Sequence, residues 1–433
     1  MIWWSSCSAF PVSEESLLAN PMTQKEQVSA TSGRPRIISR IQEKIAQVNW
    51  EVMSSKFLGV VCGLVLGGLL VAGLWPFHAP RNQVTWSAGG HGLRFGRHGT
   101  ILSSGQFQTA NAPADAPCSL EIWFEPGLTA ASGTLIAFYA PGNPRQFSLH
   151  QSIADLALRS DIRDGRYRTR TTRLYVEDIF RRGKPLFVTV TSNGGQTSVY
   201  IDGVLARTAP VFPLSSRDFA GELIIANSPV VDNSWSGSLR GLAFYDRELT
   251  PAQVLHHNET WTKNGQPDGL ENKGAIALYL FDEGAGRIIH NHAPRGADLY
   301  IPQRYLVVDE IFLRSFWDAF SPTRSYFQDV LVNIAGFIPF GFLFCAYLSL
   351  TRRIKRVAAV TIILGFSVSL TIESLQAFLP TRDSDTTDVI TNTLGTCLGV
   401  WLYGCNVCRV LFAKIWTHLL GTTAKDSTRS HMN

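Results

Sequence analysis

The chain has 433 residues, a net charge of +5 and a mean hydropathy of +0.05. At roughly 150 residues per domain this length predicts two to three domains, and the near-zero hydropathy excludes a chain that is membrane-embedded throughout. The charge is mild and no Lys/Arg stripe runs through the polar part, which argues against a nucleic-acid partner. Of seven cysteines, Cys62, Cys345, Cys397 and Cys405 sit in apolar runs and Cys118 stands alone in the long polar region, so no disulfide framework is expected there. The Cys405-x-x-Cys408 spacing lacks a second pair and is a poor metal or redox signal.

In chain order, residues 1–56 read as a largely disordered cytoplasmic tail, rich in Ser, Gln and Glu with scattered Arg and Lys. Within it, Ile38, Ile41, Ile45 and Val48 recur at helical spacing, so the alternative is a short helix along the membrane surface. Residues 57–76 (FLGVVCGLVLGGLLVAGLWP) predict the first membrane span, an uncleaved anchor, because the run is long and no A-x-A site follows. Gly59, Gly63 and Gly67 repeat every fourth residue and predict close packing against another helix, in this subunit or a neighbour.

From about Asn82 to Pro302 the pattern changes to short alternating runs rich in β-branched and aromatic residues. Around Asn193-Gly194-Gly195, PLFVTVTS and TSVYIDG predict a hairpin by strand period and turn chemistry. Similar runs at SLEIWFEP, GTLIAFYAPG, QFSLHQ, GELIIANS, SLRGLAFYDREL and AIALYLFDEG predict a two-sheet antiparallel sandwich. One helix is well signalled, with Thr250 as N-cap, Pro251 at the first position and Gln253 closing a capping box.

The order WFEP, GTLIAFY, VYIDG and SLRGLAFYDRELTPAQV resembles the LamG-like family of concanavalin-type jelly rolls, over about residues 83–300. The resemblance implies an all-β jelly-roll sandwich that binds a carbohydrate or a protein. Related folds also include glycoside hydrolases, which need paired carboxylates. The E-x-D-x-x-E strand of the laminarinase-like enzymes is absent, and Glu121 and Glu125, which share one strand face, are expected at the rim or surface. Calcium is implied by the resemblance, with Asp202, Asp282 and Glu283 as candidate ligands. His91, His98, His150, His256, His257, His290 and His292 form no metal-ligand motif and read mostly as surface or loop residues.

Residues 303–324 read as a linker in which Phe316, Trp317 and Phe320 either form an interfacial girdle or pack beneath the sandwich. Over 325–411 three more apolar segments, about 328–350, 357–379 and 388–411, complete a four-helix transmembrane bundle, with Pro339 inside the second span and Gly395 and Gly399 as a small-residue pair in the fourth. The basic run TRRIKR at 351–356, the N-terminal tail and the tail at 412–433 fall on one side, cytoplasmic by the positive-inside rule. The sandwich and the PTRDSDTTD loop then lie outside. Asn333, Glu373, Gln376, Arg382, Asp385, Asp388 and Asn392 gather at that outer end, and such groups at membrane depth mark a functional site by default.

The segments NIAGFIPFGF and SLTIESLQAFLPTRDSDTTDVITNTLGTCLG closely resemble the VanZ family of small bacterial membrane proteins. The match includes the N-x-x-x-F-x-P-x-G pattern, the S-x-x-x-I-E-x-x-Q helix end and the R-x-x-D-x-x-D-x-x-x-N start of the next helix. The resemblance implies an inner-membrane cell-envelope protein, from a family linked to teicoplanin resistance, with the LamG-like domain inserted after the first helix. Partners expected on this reading are the lipid bilayer, envelope glycans, lipid-linked precursors or surface proteins. The cluster could bind a lipid-linked or glycopeptide target, act on a lipid-linked phosphate or glycan as an enzyme, or serve as a structural lock without a ligand. The residues leave these three open, and no catalytic residue is assigned.

Overall fold

Alternating sequence between the first and second apolar segments builds two packed antiparallel sheets, and long helices follow from the flanking runs. The computed structural model describes residues 55–411 except 90, 110, 111, 114, 144, 165–167, 211, 213, 266–273, 321, 322, 351–353 and 410. The expected tails at 1–56 and 412–433 lie outside the described residues, apart from Ser55 and Lys56, which open the first helix, and so does the helical spacing from Ile38 to Val48.

One sheet runs in the order Val84–Trp86, Leu93–Phe95, Gly237–Tyr245, Cys118–Pro126, Leu186–Ser192, Thr197–Ile201, Val204–Ala209. Ala275–Tyr279 extends it along the second half of Gly237–Tyr245, on the edge whose first half takes Leu93–Phe95. The other sheet runs Ile288–Ile289, Leu299–Tyr300, Ile101–Ser103, Glu222–Ile225, Ala131–Tyr139, Arg145–Ile153, Asp155–Asp164, Arg168–Val176. Between them lies a core of Leu120, Ile122, Phe124, Phe138, Phe147 and Phe244 among others, with Phe138 and Phe244 edge-to-face at 5.1 Å.

The hairpin at Asn193-Gly194 forms as its turn residues predict. Asn193 Oδ1 accepts from the Gly195 and Gln196 amides, and Ser192 pairs with Thr197. Gly194 has φ +85, and a Cβ there would sit 2.1 Å from the Asp115 carbonyl oxygen, so glycine alone fits. The Asp155–Asp164 and Arg168–Val176 pair carries few sequence signals, because many of its positions are Arg, Asp or Thr.

Among the described residues, four long α-helices and two shorter ones complete the fold: α1 (Ser55–Leu74), α2 (Pro251–Asn264), α3 (Phe316–Ala319), α4 (Arg324–Leu350), α5 (Val357–Gln376) and α6 (Thr386–Gly404). Among the described residues α1, α4 and α5 are long and apolar enough to cross a membrane, by length and composition. The fourth, α6, has 19 residues and ends at Gly404, short of the expected 411. Its first half carries Asp388, Asn392 and several threonines, and it packs tightly on α4. A Cβ on Gly395 would sit 2.3 Å from the Ile334 carbonyl oxygen, and one on Gly399 2.2 Å from that of Ile338. The expected small-residue pair is thus a close backbone approach.

The glycine stripe of α1 behaves differently. Gly63 and Gly67 face nothing within 4 Å, and only Gly59 approaches a side chain, the Tyr347 ring at 3.3 Å. Contact is made instead by Leu66, Leu69, Leu70 and Leu74 against Phe337, Phe340 and Ile372, because these bulky side chains fill the space and hold the helices apart.

α2 lies on the outer face of the first sheet, where Val254 and Trp261 join Phe187, Tyr200, Tyr245 and Leu278 in a second core. Its capping box forms as expected, Thr250 accepting from the Gln253 amide and Gln253 reaching back to the Thr250 amide. Thr250→Ala is expected to lower the stability of the sandwich by about 1 kcal/mol, read as a fall in the melting temperature of the detergent-solubilised chain.

Candidate polar site at the helix ends

The site begins where α1 and α5 end and α6 begins. A helix C-terminus leaves its last carbonyls without intrahelical partners. Distant side chains take one of these on α1 and the carbonyl just past its end. Gln376 Nε2 donates to the Gly73 carbonyl at 2.9 Å, and Arg382 grips the Trp75 carbonyl through Nε at 3.0 Å and Nη2 at 2.8 Å. Glu373, in the last turn of α5 and 1% exposed, accepts from the Asp385 amide at 2.8 Å. Asp385 is the N-cap of α6, its Oδ1 accepting from the Thr387 amide at 2.8 Å. One turn further on, Asp388 lies beside the Asn333 side chain of α4, and Asn392 Nδ2 donates to Ser369 Oγ of α5 at 2.9 Å.

All seven residues therefore take part in contacts that tie α1, α4, α5 and α6 together. Open hydrogen-bonding capacity remains. Gln376 Oε1, Asn392 Oδ1 and Thr387 Oγ1 are buried without a partner, and such atoms cost free energy unless another group meets them.

Arg314 is a member of this cluster that sequence reasoning missed. Its backbone pairs with the loop before α6: the Arg314 amide donates to the Ser384 carbonyl at 2.9 Å, and its own carbonyl accepts from the Thr386 amide at 3.1 Å and hydroxyl at 2.9 Å. Its guanidinium lies 3.5 Å from Asp385 Oδ2. The linker thus adds a short bridge across the loop that carries the cluster. A signal was present, since Arg314 is the one basic residue between Arg304 and Arg324, embedded among aromatics.

Of those aromatics, Trp317 is 82% exposed and Phe320 is also open, as are Trp75, Phe77, Phe312 and Phe378 beside the helix ends. They do not pack beneath the sandwich. Exposed Trp and Phe at span ends suit the bilayer interface.

Next to the bridge, Glu310 is half-buried facing Asp383, and its carboxyl is pushed up to about 7, first by burial and then by the Asp383 charge. A carboxyl raised on folding binds its proton more tightly in the folded state. Its contribution is therefore intact below the ordinary value of 4.5 and is lost as pH rises to about 7. Glu310→Gln is expected to flatten that part of the stability–pH curve, measured by thermal melts across the window.

In the sandwich two expectations change. Glu121 is fully buried rather than at the rim, because α2 covers that stretch of the sheet. Its Oε1 meets His257 Nδ1 at 2.9 Å and its Oε2 accepts from the Tyr245 hydroxyl at 3.0 Å. His257 is likewise fully buried, not a surface residue. Glu125, beyond the helix, pairs with Arg240 at 2.6 Å near the surface. His150 is hydrogen-bonded to Thr134 and Ser148, its pKa lowered to about 4 chiefly by burial.

Asp282 and Glu283 come together with His292, their ligand atoms within 4.8 Å of one another, whereas Asp202 sits apart at a hairpin turn with Oδ1 accepting from the Phe187 amide. Two carboxylates and an imidazole are a poor match for calcium, which takes six to eight oxygen ligands. The donor set present does not fit that ion.

Comparison with known proteins adds two regions. Residues 277–409 match the family model described as VanZ/LLP1, and residues 101–255 match that of the concanavalin A-like lectin/glucanases superfamily. Protein VanZ from Enterococcus faecium is 37% identical over 78 residues, which cover 18% of this chain and 45% of that relative, less than half its length. Among solved structures, the binding domain of botulinum neurotoxin DC in complex with rat synaptotagmin II aligns at 15% identity and a TM-score of 0.32, covering 43% of this chain and 46% of that one. The Ruminococcus gnavus IT-sialidase CBM40 aligns at 14% identity and a TM-score of 0.28, covering 38% of this chain and 95% of that one.

Proposed function

We propose that this chain is a VanZ-like protein of the bacterial cell envelope that displays a carbohydrate- or protein-binding sandwich outside the inner membrane, coupled to a polar site at the outer helix ends that engages a lipid-linked or glycopeptide target. The observation that carries this reading is the backbone bridge between Arg314 and Ser384–Thr386. It joins the sandwich's exit linker to the loop that supplies Arg382 and Asp385 and leads into the helix turn that carries Asp388, so a ligand on one part can bias the other. Open polar valences on Gln376, Asn392 and Thr387 support a role beyond packing. Basic residues on TRRIKR and both tails, against the acidic 380–388 loop, support cytoplasmic termini and an outer sandwich.

The scaffold reading has its own support, since Glu373, Gln376 and Arg382 each meet a backbone group. Turnover of a lipid-linked substrate is the alternative reading of the same cluster, in which Glu373 is buried and accepts a hydrogen bond from the Asp385 amide.

The test compares cells making the intact chain, a Glu373→Gln variant and a form lacking residues 83–300. Teicoplanin susceptibility, taken from the family association, and membrane abundance are read together. On the proposal Glu373→Gln reaches normal abundance and loses the phenotype. Disappearance of the variant from the membrane would mean that the cluster only locks helices. An unchanged phenotype without the sandwich would reduce that domain to an accessory.

A further inference from the structure

The sandwich carries a second polar feature away from the helix ends. After the Ile101–Ser103 strand the chain stays beside the residues that lead into Glu222–Ile225, where Phe107 exchanges backbone hydrogen bonds with Gly221 at 2.7 and 3.0 Å. This leaves Gln106 and Gln108 exposed on a ridge. Opposite them stands the turn between Ala131–Tyr139 and Arg145–Ile153, with Asn143 and Arg145, and beside it Arg217 of the 3-10 turn Ser216–Phe219. Together they line an open cleft of about 710 Å³.

The two arginines are held in place. Arg145 Nη1 lies 3.8 Å from Asp218 Oδ2, whose side chain is 1% exposed and also accepts from the Ser215 amide at 2.9 Å. Asp218 Oδ1 is buried with no hydrogen-bond partner. Arg217 donates through Nε to the Ala112 carbonyl, so its terminal nitrogens are the donors that remain for a ligand. Among the described residues the cleft wall carries these two guanidinium groups and no carboxylate, with Asp218 behind Arg145. Guanidinium forks match carboxylate and phosphate oxygens, while three primary amides offer both donors and acceptors to hydroxyl groups. Its volume falls within the roughly 300–1,000 Å³ of small-ligand sites.

We infer that this cleft is the glycan subsite of the sandwich and that it takes an anionic saccharide, a sugar unit bearing a carboxylate or a phosphate. The inference rests on the proposed glycan-binding reading and supplies its place and charge.

The test is titration calorimetry on the full chain in detergent with glucuronic acid, glucose 6-phosphate and glucose as probes. An anionic sugar is expected to bind and glucose to bind at least about tenfold more weakly. Binding of glucuronic acid alone, glucose 6-phosphate alone or both identifies which anion is read, and each supports the site. Arg217→Gln is expected to weaken the anionic probe by about 10- to 100-fold, since a charged hydrogen bond contributes about 1.5–3 kcal/mol. Gln108→Ala, an exposed change, should weaken it without lowering the melting temperature, and it decides the matter if Arg217→Gln does not fold. Equal affinity for glucose would overturn the charge selectivity. Anionic binding unchanged in both variants would sink this cleft while leaving glycan binding elsewhere on the sandwich. No saturable binding of any probe through the millimolar range would count against both.

Discussion

Gly395→Leu is expected to remove the protein from the membrane. At this position α6 lies against α4 so closely that even a Cβ would stand 2.3 Å from the Ile334 carbonyl oxygen and 3.0 Å from Phe337 Cβ. Neither neighbour can step aside, since one is helix backbone and the other belongs to a buried ring. Overpacking a well-filled interior costs about 1–3 kcal/mol when side chains can adjust, and more when backbone must move. Asp388–Asn333, Asn392–Ser369 and the Glu373–Asp385 contact depend on the same helix register, so their geometry fails with it. Gly63→Leu is the matched control, because that glycine faces nothing within 4 Å and the change should leave abundance intact. Membrane fractionation with a melting curve on the extracted protein reads both. Normal abundance of Gly395→Leu would mean that α4 and α6 do not approach as described.

Glu121→Ala should unfold the sandwich at a much lower temperature, with a loss of about 3–5 kcal/mol, the usual result of breaking one side of a buried pair. The carboxylate is the shared acceptor for His257 and Tyr245 beneath α2, and its removal leaves both without that partner away from water. Glu121→Gln should lose less, because an amide keeps one acceptor and nearly the same volume. Comparing the two by calorimetric melting separates the hydrogen-bond role from packing. Equal losses in both variants would argue that the charge itself matters most.

These two sites also mark the limit of sequence reading. Alternation put Glu121 and Glu125 on one strand face, and it did so correctly. It could not say that α2 would lie over Glu121 and stop short of Glu125, because the helix reaches the strand from more than a hundred residues away. Glycine spacing was likewise legible on both helices, yet Gly395 became a contact and Gly63 did not. The difference lies in what each glycine faces: α4 backbone stands against Gly395, whereas nothing lies within 4 Å of Gly63 and the leucines of α1 make its contacts.

By itself the sequence determined the class of object: apolar runs long enough to span a bilayer, short alternating strands with their turn residues, the Thr250 cap and a polar set near the helix ends. Those features are local, set by hydrophobic period, φ preference and side-chain hydrogen bonding within a few residues. Tertiary structure alone decided the partners. It put Arg314 beside Asp385, gave Gln376 and Arg382 the carbonyls at and just past the end of α1, buried Glu121 and gathered Arg145, Arg217 and the 106–108 ridge around one cleft. Each of these contacts joins segments far apart in the chain, and only the packing of sheets and helices brings such segments within the reach of a hydrogen bond.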